Sequence, residues 1–161
     1  MTVDSKAFRH ALGQFATGVS VVTGLTPDGT PAGLTVSTLA SVSLDPPLVS
    51  FCVARGTASL DAFVKGETFA VSILGEDQKA VSDLFASRRD DKFDDVTWKA
   101  GDNGCAIVSG SLASLECSRV ALHEVGDHVL IIGQVDRVDV AGEGNPLLYF
   151  RGGYGRFGGA S

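Results

Sequence analysis

Between Gly33 and Val53 the chain reads GLTVSTLASVSLDPPLVSFCV, a stretch almost free of charge but set with hydroxyls. Thr35, Ser37, Ser41 and Ser43 share one strand parity, and Val36, Thr38, Ala40 and Val42 share the other. One face of an extended segment here is therefore polar. Two accounts fit it: a solvated strand face, or a row of hydroxyls and main-chain N–H groups meeting an oxygen-rich ligand such as a phosphate. Patterning does not choose between them. Farther along, RRDDKF places Arg88, Arg89 and Lys92 beside Phe93. Solvated charge is the default reading of such a run, and a phosphate clamp is the sharper one. GDHVLIIGQV sets His128 at a strand start just after a Gly126–Asp127 turn. A lone histidine there is more often structural than functional. Gly133, inside the same strand, calls for a bulge or the close approach of something flat. A Ser37–His128–Asp127 triad can be written down, but adjacent Asp and His on a turn are poorly placed for the usual supporting contact.

Other chemistries lack their residues. No GxGxxG segment follows a strand, and RGGYGRF comes late with no helix after it, so a Rossmann dinucleotide site is unsupported. There is neither a GxxxxGK[ST] loop nor a GxSxG elbow. Cys52, Cys105 and Cys117 are widely spaced and form no CxxC pair, and the three histidines are scattered, so no metal site is expected. Each cysteine reads as a small buried hydrophobe. With 13 basic against 19 acidic side chains, net charge −6, the surface has no footprint for nucleic acid. A local nest of N–H groups can still hold a small anion. No apolar run approaches a membrane span and MTVDSKAFRH has no signal-peptide core, so a soluble cytoplasmic protein is expected.

The elements that must position these residues are mostly strands. A helix is expected from Asp4 or Ser5 to Gln14, its stripe of Phe8, Ala11, Leu12 and Phe15 packed on the main body. Val19 to Leu25 reads as a strand, and TPDGTP as a turn. AGLTVSTLASVSL reads as one extended segment, broken by DPP before LVSFCVA resumes. Short helices are expected over Ser59–Lys65 and Glu76–Ala86, with a strand at Thr68–Leu74 between them. SRRDDKFDDVTW reads as a surface loop. The second half gives CAIVSGSLASLECSRV as one bent strand or two, with a possible bulge at Gly110. A hairpin through Gly126–Asp127 follows, then a short LLYF strand and a glycine-rich tail over 152–161. No βαβ rhythm or internal repeat is present, and 161 residues fit a single domain over 1–161. The class expected is mostly β, an antiparallel barrel with small helices.

Taken together, FRHALGQFATGVSVVTG, GLTVSTLASVSLDPPLVSFCV, FAVSILGEDQKAVSDLFA, DKF and GDHVLIIGQV occur in the order and spacing of one family. From Phe8 to Val138 the chain resembles the small flavin reductases that serve two-component flavin monooxygenases. The resemblance implies an FMN-binding split barrel, a six-stranded antiparallel Greek-key barrel working as a homodimer, with flavin near a groove at the subunit boundary. It implies that Thr35, Val36, Ser37 and Thr38 line the flavin and its phosphate. Cys52, Val53 and Ala54 would pass the ring through backbone contacts. Ser59, Lys92 and Phe93, with Arg88 as the weaker candidate, would lie at the phosphate end. His128 would lie on the nicotinamide side, and Tyr154 and Arg156 would close the site.

The implied reaction passes a hydride from NADH, or NADPH, to FMN or FAD. The acidic surface favours NADH, since a 2′-phosphate wants a basic pocket. A chain of 161 residues is too small for this barrel plus an aromatic hydroxylase domain, so a separate monooxygenase component is the implied partner. The rivals are a non-catalytic flavin-binding protein on the same barrel, a pyridoxamine phosphate oxidase and a haem-binding split barrel. The GDH element favours the reductase.

Overall fold

The computed structural model describes residues 3–141 and 143–158. Helix α1 (Ser5–Leu12) starts at Asp4, whose carboxylate accepts from the Ala7 N–H at 3.1 Å. Strands β1 (Thr17–Gly18) and β2 (Ser20–Leu25) follow. The long hydroxyl-bearing segment is two strands, β3 (Pro31–Val36) and β4 (Ala40–Leu44), not one. The chain turns through Asp45–Pro46 into β5 (Pro47–Ala54). Helix α2 (Leu60–Val64), strand β6 (Thr68–Ile73) and helix α3 (Lys79–Ala86) come next. The charged run expected as a plain loop carries a 3-10 turn at Lys92–Asp95, and its last residue, Trp98, opens β7 (Trp98–Ala100). Then come β8 (Ala106–Val108), β9 (Ala113–Val125), β10 (His128–Val140), β11 (Leu147–Phe150) and β12 (Gly153–Arg156). Gly110 lies in the turn between β8 and β9, at φ +77°, rather than at a bulge. The glycine-rich tail contributes the strand β12, which pairs with β11.

All pairings are antiparallel. The main sheet has seven strands in the order β3-β2-β6-β9-β10-β5-β4. Its two edges, β3 and β4, are joined only by residues 37–39. Laid flat at roughly 4.8 Å per strand, those edges would stand about 29 Å apart. Four Cα steps reach at most about 14 Å. The sheet must therefore curl so that its edges approach across Ser37–Leu39, a shape consistent with the expected barrel, although this sheet has seven strands where the resemblance implies six.

The rolled interior is filled by alternate residues. Val49, Phe51 and Val53 of β5 point inward with Val129 and Ile131 of β10, Phe69 and Val71 of β6, and Val22 of β2. Phe51 meets Phe63 and Phe69 edge-on, with centroids 5.5 and 5.1 Å apart, a geometry that aromatic quadrupoles favour. Gly133 explains itself here. The register shifts between Ile132 and Gly133, and a Cβ at Gly133 would sit 2.3 Å from the Phe69 ring. The flat object against this glycine is thus a core phenylalanine. A second cluster lies outside the barrel, where Phe85 of α3 packs with Val19, Val21, Leu74, Val108 and Leu147.

One expectation fails. The α1 stripe does not pack on the body of the chain: Phe8 is 57% exposed, Leu12 53% and Phe15 72%. The helix is tied at its end instead, where the Arg151 N–H donates to the Gly13 carbonyl (2.9 Å) and Arg151 Nε donates to Gln14 Oε1 (2.8 Å). Among the described residues nothing covers its apolar face.

Replacing Gly133 by Ala should cost about 1–3 kcal/mol of stability, because the Phe69 ring must move out of a filled core. Urea denaturation of both proteins measures this, and an unchanged midpoint would show that the ring yields freely.

Candidate active site

Gly33 in β3 gathers three elements. Its carbonyl accepts the Ser59 hydroxyl at 3.0 Å and Lys92 Nζ at 3.4 Å. Lys92 Nζ also donates to the Phe85 carbonyl at the end of α3, at 3.1 Å. A cation there complements the negative end of the helix. Having no side chain, Gly33 leaves room for the Phe85 ring, which a Cβ would approach to 2.9 Å. Burial pushes the Lys92 amine below the usual lysine range, with Asp90 acting the other way. Ser59 is buried. Phe93 packs edge-on between Phe85 (5.2 Å) and Trp98 (5.7 Å), which makes its ring part of the outer core. In the same run Arg89 is held by Asp91 and Asp95. Arg88 is exposed and makes no ion pair among the described residues.

Two residues along β3, the Thr35 hydroxyl donates to the Ser82 carbonyl of α3 at 2.7 Å. The hydroxyls of Ser82 and Tyr154 share a hydrogen bond of 2.8 Å. These groups wall a cleft of about 170 Å³ lined by Val19, Thr35, Val36, Ser37, Ser82, Ala86, Tyr149 and Tyr154. Val36 also reaches the barrel core, while Ser37 is exposed on the link to β4. Tyr154 stands edge-on to Tyr149 (5.5 Å), with Lys79 Nζ 5.1 Å from its centroid. Burial raises the Tyr154 phenol above its ordinary range, opposed by the Ser82 hydrogen bond. Arg156 is exposed, paired in register with Leu147.

A third group lies at the end of β5. Thr38 Oγ1 accepts the Cys52 N–H at 3.0 Å, tying the 37–39 link to that strand. Val53 is wholly buried, so only its main chain is available to a ligand. Ala54 pairs in register with His128 of β10. The turn before His128 is pinned where the Arg55 N–H donates to the Asp127 carbonyl (3.0 Å). Against expectation, the adjacent Asp127 and His128 do touch: Nδ1 lies 2.6 Å from Asp127 Oδ1. Gly126 at φ +59° lets the turn fold the carboxylate back onto the ring. The histidine's hydrogen bond holds the Asp127 carboxyl below its usual range; an ionised carboxylate can only accept, so the contact is Nδ1–H donating to Oδ1. Nε2 is left free. The pair is exposed to solvent, so its worth lies in orientation rather than stability.

The expected residues thus form three groups, joined by the short outward row of Gly33, Thr35 and Ser37. Ser82, Ala86 and Tyr149 carry no motif in the sequence. The cross-strand pair Tyr149↔Tyr154 over the RGG turn is the one signal that points to Tyr149. Buried Cys105 and Cys117 are inert thiols, Cys117 pushed up to about 12 by desolvation. Among the described residues no group of His, Cys, Asp or Glu could hold a metal.

These features have relatives. Residues 12–158 match the flavin reductase like domain, and the chain belongs to that family. It is 45% identical over 154 residues to the FMN reductase (NADH) SmoA of Agrobacterium fabrum, covering 96% of this chain and 87% of that one. It is 39% identical over 152 residues to HsaB, the reductase subunit of a flavin-dependent monooxygenase of Rhodococcus jostii, covering 94% and 77%. Its backbone superposes with a TM-score of 0.90 on the NADH:FAD oxidoreductase SgcE6 of Streptomyces globisporus, solved with NAD and FAD fragments. That pair is 35% identical, covering 98% of this chain and 96% of the other.

Lys92→Met should lower stability by about 1–2 kcal/mol, because it strips a charged donor from two carbonyls. Arg88→Ala should change stability by less than about 0.5 kcal/mol. Chemical denaturation of the two variants tests the contrast, and equal effects would remove Lys92 from its anchoring role.

Proposed function

We propose that this chain is an NADH-dependent flavin reductase that passes a hydride to flavin and supplies the reduced flavin to a separate monooxygenase. The observation that carries this reading is the His128↔Ala54 pairing, which sets an oriented imidazole beside the strand end tied to the 37–39 link. The donor set fits a flavin nucleotide. It offers exposed hydroxyls at Ser37 and Thr38, main chain at Cys52–Ala54, and cations at Lys92 and Arg88 for phosphate.

When bound, the flavin supplies the hydride acceptor and the nicotinamide the donor. The protein's part is positional and electrostatic. The Asp127 carboxylate holds Nδ1–H of His128 and turns Nε2 toward the nicotinamide side. The main chain of Ser37–Leu39 lies outside the strand ladders, and its N–H groups are the donors we assign to the negative charge that grows on the acceptor ring. Ser59 and Lys92 hold Gly33 in place, and with it the row that carries Thr35 and Ser37.

The same reading includes a homodimer. Phe8, Leu12 and Phe15 of α1, with Val42 and Leu44 of the edge strand β4, leave apolar surface that a second copy would cover. HsaB is a monooxygenase's reductase subunit by name, which supports an oxygenase partner here. Among the described residues no helix is long and apolar enough to cross a membrane. The cytoplasm, where NADH is made, is the compartment we assign.

His128→Ala should lower kcat/KM for NADH by about tenfold, the worth of one good hydrogen bond, with flavin affinity held. Steady-state NADH oxidation and flavin titration check this together, and equal loss of both would remove His128 from the nicotinamide side. The wild type should sediment at twice 16.7 kDa, and a Phe8→Glu, Leu12→Glu variant should sediment as the monomer. A monomeric wild type contradicts the dimer.

A further inference from the structure

We propose that the cleft between the β7–β8 hairpin and the outer face of β9 and β10 binds a primary ammonium group, at a site separate from the one that serves flavin and nicotinamide. Its volume is about 80 Å³. Arg137 lines it, and His128 stands at the other end of β10. At about 3.3 Å per residue the two are roughly 30 Å apart along the strand. None of the residues assigned to flavin or nicotinamide lines this cleft. The inference is therefore independent of the reductase reading.

Two cross-strand pairs make the floor. Ser114 of β9 stands opposite Asp139 of β10, and Glu116 stands opposite Arg137. Leu115 and Cys117, which alternate with them, pack into the barrel core, so Ser114 and Glu116 point outward. The hairpin covers them, leaving Ser114 7% and Glu116 6% exposed. Gly101 lets the cover sit so close, because a Cβ there would come within 2.7 Å of Glu116 Oε2. The Asn103 N–H donates to the same oxygen at 2.9 Å.

Other polar atoms under that cover have no partner. The Ser114 hydroxyl makes no hydrogen bond among the described residues, although the residue is buried and lines the cleft. Glu116 Oε1 makes none either. Arg137 Nε, its ion-pair partner, stands 3.8 Å away, past hydrogen-bond reach. Arg137 gives its Nη1 hydrogen bond to Asp102 at the rim instead. A buried acceptor left open is costly, so the cleft calls for a donor. Ser114 Oγ, Glu116 Oε1 and the Asp139 carboxylate are three acceptors, and a primary ammonium carries three N–H donors. Charge agrees. The lining holds three acids, Asp102, Glu116 and Asp139, against two bases, Lys99 and Arg137. One monocation balances it, whereas an anion would meet the Glu116 carboxylate. A metal ion lacks its ligand group among the described residues. Ile107 supplies an apolar wall for a short carbon stem.

The ammonium can arrive on a free amine or at the end of a lysine of another protein, and the probes separate the two. Methylammonium, N-acetyl-lysinamide and tetramethylammonium chlorides are titrated into isotope-labelled protein and backbone amide shifts are followed, with NADH oxidation measured in parallel. We expect methylammonium to shift the amides of residues 99–102, 114–116 and 137–139 and to leave those near His128 in place. Tetramethylammonium has the charge but no N–H, and should shift none of them. Glu116→Gln should weaken methylammonium by about tenfold and Ser114→Ala by about threefold. Asp139→Asn, at an exposed position, carries the same test where Glu116→Gln fails to fold. All three variants should keep the wild-type rate of NADH oxidation. Tighter binding of N-acetyl-lysinamide than of methylammonium gives the site to a protein-borne lysine, and the reverse gives it to a free amine; either result supports the ammonium site. Equal shifts from tetramethylammonium, or variants that bind like the wild type, would overturn the proposal. No shift with methylammonium would leave the cleft to water and overturn it as well.

Discussion

The carbonyl of Gly33 is where the molecule's working parts are tied together. Ser59 from the start of α2 and Lys92 from the turn after α3 both donate to it, and Lys92 also holds the end of α3 through Phe85. The tie forms only because position 33 has no side chain, since a Cβ would collide with the Phe85 ring. From this point the outward row of β3 runs past the cleft to the 37–39 link. That link joins the two edges of the curled sheet and meets β5 through Thr38 and Cys52. The same strand places Gly33 and Thr35 on the outer face while Val36 enters the core, and Ser37 follows on the exposed link. The stretch of hydroxyls is therefore neither simply solvated nor simply a ligand row. Thr35 is engaged by α3 and Thr38 by β5, and Ser37 is left open.

Local pattern carried much of the fold. The strands at β2, β5 and β6 follow from alternation, and the β9–β10 hairpin follows from Gly126–Asp127 in its turn. The misses share a physical cause. The break at Ser37–Leu39 marks the passage from one edge strand of the sheet to the other, a demand that no local propensity records. The strand β12 exists because β11 offers it a partner across a glycine turn. The stripe on α1 was legible, but its exposure was not: Phe8, Leu12 and Phe15 stay in solvent among the described residues. Periodicity marks an apolar face without naming its neighbour.

The candidate site was legible as motifs rather than as contacts. The residues near the Thr38–Cys52 tie and His128 sit in contiguous motifs whose order marks the family. Lys92 was expected as a phosphate ligand, and its contacts with Gly33 and Phe85 give it a structural task besides. That task joins residues 59 positions apart, which spacing cannot reveal. The Asp127–His128 contact looked unfavourable because the two residues are adjacent on a turn. The turn's left-handed Gly126 relaxes that constraint and gives the histidine its orientation.

The central claim is that these three groups act on one flavin and one nicotinamide. Anaerobic rapid mixing tests it most directly. Protein with FAD or FMN is mixed with NADH, and loss of the flavin's visible absorbance is followed. The account predicts bleaching far faster than in the protein-free mixture. Bleaching no faster than that mixture, with flavin binding confirmed by fluorescence quenching, would contradict it and leave a flavin-binding protein without reductase activity.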